Sequence, residues 1–81
     1  MSIEKFYKLL GKKLEIHLKS GERYTGYADY IVIPEEDEDL EGPILALDIE
    51  GRNEGTIDGF YIDEICSVKV HWARVTLFKR F

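Results

Sequence analysis

Cysteine is nearly absent from this chain: Cys66 is the only one in 81 residues. A single thiol excludes an intramolecular disulfide and every multi-cysteine zinc pattern, and it fits a reducing compartment. No apolar run approaches the roughly 18 residues that span a bilayer, and Glu4, Lys5 and Lys8 interrupt the apolar start of the sequence. We therefore expect a cytoplasmic protein without a membrane segment.

Proline and low-complexity sequence are also scarce, with two prolines, no Ser/Gly-rich linker and no internal repeat. A chain of this length builds one compact core at most. Its residues are 44% hydrophobic and 12% aromatic, which is too apolar for a disordered protein. We therefore predict a single folded domain over residues 1–81.

Charge is unevenly distributed along the sequence, whose formal net charge is -5. Residues 1–25 hold six bases and three acids, and residues 65–81 hold four bases and no acid. Residues 26–64 between them contain thirteen acids and one base, Arg52. The net acidity therefore belongs to the middle of the chain, and both ends are basic.

A short helix is predicted over residues 2–10. Ser2 is suited to the N-cap, apolar residues from Ile3 to Leu10 recur every three or four positions, and Gly11 follows as a C-terminal glycine. The period then changes to two, which indicates strands. The predicted strands cover residues 12–18, 23–33, 44–50, 56–62 and 66–72, with a tight helical turn at 63–65 and a tail at 73–81 that extends the last strand or adds a sixth.

The order of helix, hairpin, loop, second hairpin, tight turn and last strand resembles the Sm-like small barrel. The residues that carry the resemblance are Leu14, Ile16, Leu18, Gly21, Tyr24 and Gly26, similar to the first Sm motif. The resemblance implies a mainly β fold, with the helix followed by a five- or six-stranded, strongly bent antiparallel barrel of the Sm-like or SH3-like kind. A glycine inside a strand is typical of a sharp bend or a close approach, and Gly26 is interpreted as a bend of the barrel.

The Sm motifs for RNA are not present in this chain. Residues 61–65 read Tyr-Ile-Asp-Glu-Ile where RNA-binding Sm proteins resemble one another in an Ile-Arg-Gly turn. Two carboxylates at that place repel phosphate. The acidic charge and leading helix also resemble the small Sm-like proteins that inhibit the Rho transcription terminator, which implies a protein partner.

The most unusual local feature is an acidic run. Its members are Glu35, Glu36, Asp37, Glu38, Asp39 and Glu41. We predict it as a partner-binding segment for a basic protein surface, through charge complementarity. The alternative is a solvated loop, because blocks of like charge repel one another.

A second candidate set would bind nucleic acid through basic side chains and through tyrosine rings that stack on nucleobases. Its members are Lys12, Lys13, Tyr27, Tyr30, Lys69 and Arg74. Alternation along the second strand puts Tyr24 and Tyr30 on one face and Tyr27 on the other. The alternative for the aromatics is core or cross-strand packing, and for the bases it is ordinary solubilising surface.

The remaining reactive side chains point to no chemistry. His17 and His71 are predicted on the polar faces of strands, and Cys66 is predicted as a buried, inert thiol beside Ile65. No catalytic pair or phosphate-binding glycine loop can be assembled. We expect neither an enzyme nor a cofactor or metal site.

These observations favour a non-enzymatic interaction module that pairs with copies of itself, through exposed edge strands or the apolar tail, or with a basic protein surface. The tail motivates self-association because Val75, Leu77, Phe78 and Phe81 are hard to bury within so small a domain. The alternative is an RNA-binding or transcription-related regulator that uses the basic ends and the barrel aromatics.

Overall fold

The computed structural model describes residues 2–35, 40–49 and 57–71. Over these residues it contains one helix, α1 (Ile3–Leu9), and five strands: β1 (Lys13–Leu18), β2 (Arg23–Val32), β3 (Ile44–Ile49), β4 (Ile57–Tyr61) and β5 (Ile65–His71). A 3-10 helix, Ile62–Glu64, joins β4 to β5. The mainly β class is confirmed, and a sixth strand in the tail falls outside the described residues.

The strands form one antiparallel sheet in the order β4-β3-β2-β1-β5. The two hairpins that the turn signals predict, β1–β2 and β3–β4, are both present, and β2–β3 pairing joins them. The last described strand, β5, returns to pair with β1. Within the described part of the chain, β4 and β5 are therefore the two edges of the sheet.

The helix forms where the capping signals place it. The Ser2 hydroxyl accepts a hydrogen bond from the backbone N–H of Glu4 at 3.2 Å, and Gly11 takes a positive φ of 87° that favours glycine. The helix is one residue shorter at each end than predicted, because Ser2 and Leu10 are extended caps. Phe6 is its buried side chain and fixes α1 on the sheet.

One face of the sheet carries the core. Its fully buried side chains come from α1, β1, β3 and the start of β5 with the preceding turn, and include Phe6, Leu14, Ile16, Leu45, Leu47, Ile62 and Ile65. Ile62 opens the 3-10 helix instead of ending β4, so the tight turn predicted at 63–65 lies one residue earlier. Ile65 correspondingly opens β5, whose predicted end at Trp72 lies beyond the described residues.

Gly26 marks a close approach of two strands. It pairs with Ile49 of β3, and a Cβ on Gly26 would collide with the backbone carbonyl of Asp48. Only glycine allows the backbones to approach so closely without a shift. The structure thus shows a close approach at Gly26, and the barrel bend predicted there stays a prediction.

Candidate interaction surfaces

A bulge in β2 decides which aromatics reach the surface. The pairing with β3 shifts register between Ala28 and Tyr30, which leaves Asp29 as an extra residue. Such a bulge re-aims the side chains that follow it. Tyr30 therefore shares the sheet face of Tyr27, while Tyr24 packs on the core side with Phe60, at 4.8 Å between ring centroids. The predicted split of the tyrosines is wrong for this reason.

The sheet face opposite the core has an apolar surface that we call the tyrosine face. It consists of three cross-strand rows over β2, β3 and β4: Tyr27–Asp48–Ile57, Tyr30–Ala46–Gly59 and Val32–Ile44–Tyr61. Residues opposite one another in a sheet project to the same side. Asp48 is the one charged residue among these nine positions.

The tyrosine face is exposed at its large side chains. Tyr27 and Tyr30 are each 48% exposed and Ile57 is 40% exposed. Ala46, at its centre, is only 3% exposed. Contiguous exposed apolar surface of this kind is typical of an interaction site.

On the same side of the sheet, β1 and β5 carry a charged cluster centred on Glu15. Nε2 of His17 lies 2.7 Å from Oε2 of Glu15, and Nε2 of His71 lies 3.6 Å from Oε1. Arg23 approaches Oε2 at 4.0 Å. The hydrogen bond from His17 holds the pKa of the Glu15 carboxyl below its ordinary value, with smaller contributions from His71 and Arg23 and partial burial acting against them.

The histidines lie on the polar face of their strands, as predicted, but the carboxylate between them was missed. Glu15 and His17 are two residues apart on one strand, so their shared face could have been read from the sequence. His71 joins them through the β1–β5 register, which has no local sequence signal. Among the described residues, no group of three or more His, Cys, Asp or Glu side chains is arranged to hold a metal ion.

The nucleic-acid candidates come together in part. Lys13, Tyr27, Tyr30 and Lys69 share the outer side of the sheet, with Lys13 paired to Tyr27 and Lys69 paired to Glu15. Lys12 precedes β1 and is partly buried. Arg74 lies outside the described residues.

The acidic run is described only at its two ends, where Glu35 and Glu41 are exposed. Its members at positions 36–39 lie outside the described residues. Glu35 and Glu41 both lie on the connection between β2 and β3.

Cys66 is exposed, which corrects the prediction of a buried thiol. The β1–β5 ladder pairs His17 with Ser67 and Leu18 with Ile65, so Cys66 is the extra residue of an irregularity between them. Ile65 takes the buried position that the sequence neighbourhood predicted for the thiol. Cys66 is therefore a free surface thiol.

Comparison with known proteins finds no matching family model, no similar curated protein and no similar solved structure. The described helices include none long and apolar enough to cross a membrane. The function of this chain is therefore inferred from its own surfaces.

Proposed function

We propose that this chain is a non-enzymatic interaction module, built as a Sm-like small barrel, which associates with copies of itself. The single observation that carries the proposal is the tyrosine face, which groups eight uncharged residues around one acid on an otherwise highly charged molecule. The strand β4, an edge of the sheet within the described residues, lies at its border.

The barrel shape is supported by how β4 connects to β5. In a flat five-stranded sheet, the outer strands lie about 19 Å apart, since neighbouring strands are spaced by about 4.8 Å. The chain from Tyr61 to Ile65 advances four residues and spans about 14 Å at most. This short connection supports a sheet that curls to bring its two edges together at this end.

Hydrogen bonds around the 3-10 helix support the same curvature. At its start, the N–H of Ile62 donates to the carbonyl of Pro43, just before β3, at 3.0 Å. At its end, the carbonyl of Glu64 accepts from the N–H of Lys19, just after β1, at 2.9 Å. One short turn thus bonds to segments from both sides of the sheet.

Self-association by the tyrosine face is tested with Tyr30→Ser combined with Ile57→Ser. Because both side chains are exposed, this variant should fold while it loses the apolar contact. We expect the parent chain to sediment as a dimer or larger assembly at a protein concentration of tens of micromolar. The variant should dissociate more readily, with a dissociation constant at least tenfold higher.

Lys8→Ser is the control, because Lys8 is also exposed but lies on α1, away from the tyrosine face. It should leave the assembly unchanged. A parent chain that stays monomeric over the whole concentration series, or a control that dissociates as much as the double variant, would contradict the proposal.

A second candidate function, binding of single-stranded RNA, is favoured by the positions of Lys13, Tyr27, Tyr30 and Lys69 on one side of the sheet. Stacking on tyrosine combined with phosphate contacts gives sequence-tolerant binding that weakens steeply with salt. Fluorescence anisotropy with an oligouridine should then show affinity that falls with salt, falls in Lys69→Ala and rises in Glu35→Gln. Flat or undetectable binding across salt concentrations excludes this function.

A further inference from the structure

An open groove lies between α1 and the connection from β2 to β3. Its volume is about 580 Å³, and it is lined by Ile3, Tyr7, Ile33, Pro34, Glu35 and Pro43. Five of these six side chains are apolar or aromatic, and Tyr7 is about half exposed. The groove shares no lining residue with the tyrosine face, and Glu35 is the one charged residue among the described residues that line it.

A segment of matching chemistry follows β5 in the same chain. Residues 72–81 contain five large apolar side chains, Trp72, Val75, Leu77, Phe78 and Phe81. They also contain three bases, Arg74, Lys79 and Arg80, and no acid. The groove wall holds Glu35 at the start of the acidic run, so both the apolar character and the charge of the two surfaces are complementary.

The distance between them is short enough for contact within one molecule. His71 pairs with Lys13, and paired Cα atoms lie about 5 Å apart. The chain takes six steps from Tyr7 to Lys13, two within α1 and four beyond it, which adds at most about 16 Å. Tyr7 thus lies within about 21 Å of His71, whereas Phe78 and Phe81 reach about 24 and 34 Å from it when extended.

We propose that residues 77–81 bind in this groove of their own chain, with Leu77, Phe78 and Phe81 against its apolar wall and the bases at 79 and 80 next to Glu35. A tethered segment meets its groove at an effective concentration near the millimolar range, which favours this contact over the same contact between copies. The proposal does not depend on self-association through the tyrosine face.

Cross-linking in the full chain tests this contact. On a Cys66→Ser background, Glu4→Cys places a thiol on the exposed helix surface one turn from Tyr7, and Lys79→Cys places the second beside Phe78. Under mild oxidation with oxidised glutathione, we expect a disulfide within one chain, detected by non-reducing electrophoresis and peptide mass spectrometry.

The matched control is Ser20→Cys with Lys79→Cys. Ser20 lies in the turn at the far end of β1 from Lys13, about 23 Å from His71 and equally within reach of position 79. If residues 77–81 bind in the groove, the thiol at position 79 should form a disulfide with position 4 at least ten times faster than with position 20. Equal rates at the two positions overturn the proposal, and so does a product linked between two chains.

Charge exchange gives an independent readout. Glu35→Lys in the same two-thiol chain should slow linking to position 4 several-fold, and adding Arg80→Glu should restore it. Leu77→Ser with Phe78→Ser should reduce the rate to that of the position-20 control. If neither set changes the rate, the contact is not the one proposed, even where self-association through the tyrosine face persists.

Discussion

Gly26 is a residue where β2 lies close against β3. Gly26→Ala places a methyl group against the Asp48 carbonyl, so one backbone must move. We expect a loss in the free energy of unfolding of about 1–3 kcal/mol, the range for overpacking in a tight interior. Urea denaturation measures it directly.

Gly42→Ala is the control for that substitution. A Cβ on Gly42 would meet only the Asp63 carboxylate, at an ordinary contact distance of 3.7 Å. Gly42 is also buried, but an added methyl group there meets no backbone atom, so its effect should be clearly smaller than that of Gly26→Ala. An equal loss in both variants would show that close strand approach is not what position 26 requires.

Glu15 makes stability dependent on pH in the acidic range. Its pKa in the folded chain lies below the ordinary value of 4.5, chiefly because of the hydrogen bond from His17. A lowered carboxyl pKa adds stability above the unfolded pKa, and this gain is lost as the pH falls through the folded pKa. The parent chain should therefore be more stable than Glu15→Gln near pH 7, and the difference should shrink steadily below pH 4.5.

The comparison of urea midpoints at pH 7, 5, 4 and 3 checks this dependence. Glu22→Gln is the control, since Glu22 is exposed in the β1–β2 turn, where its carboxylate meets only the Ser20 hydroxyl. A difference between parent and Glu15→Gln that stays constant from pH 7 to 3 would contradict a stabilising carboxylate at this position.

At the scale of elements, α1 is held to the sheet by one fully buried aromatic ring. Phe6 is 0% exposed and belongs to the core cluster. Phe6→Ala should reduce the free energy of unfolding by about 3–5 kcal/mol, from lost burial and the cavity that remains. Lys8→Ala, exposed on the same helix, should be nearly neutral in the same thermal or urea melt.

How well each strand is predicted depends on whether one face alone is buried. In β1, Leu14 and Ile16 alternate with polar residues, and both predicted bounds of the strand lie within one residue of the observed bounds. In β2 the bulge at Asp29 breaks alternation, and nothing in the local sequence marks it. The surface thiol at Cys66 was missed for a related reason, because the irregularity in β5 exists only relative to β1.

The candidate surfaces were predictable only as separate residues. Lys13, Tyr27 and Lys69 were chosen by type, and their common face results from strand order and register, which depend on contacts distant in sequence. Glu15 was not chosen, because a single carboxylate within an alternating strand reads as ordinary solvent-facing surface.

In the whole molecule, the first strand, β1, and the last described strand, β5, are neighbours in the sheet. Side chains from β1, β3 and β5 share one core with α1. None of these strands can unfold separately without exposing buried residues of the others. Unfolding should therefore be two-state, as for most single domains of this size. The fluorescence of the single tryptophan, Trp72, which is next to His71 in the sequence, gives one unfolding transition, and far-ultraviolet circular dichroism gives a second one for the whole sheet.

The two urea transitions should coincide in the parent chain and shift together in Leu47→Ala. Leu47 lies in β3, three places from β5 in the sheet order, and its truncation should remove about 2–5 kcal/mol. If the Trp72 transition kept its midpoint while the dichroism transition moved, β5 would be a separate folding unit. A common shift instead means that the β1–β5 edge is stabilised by packing on the opposite side of the sheet.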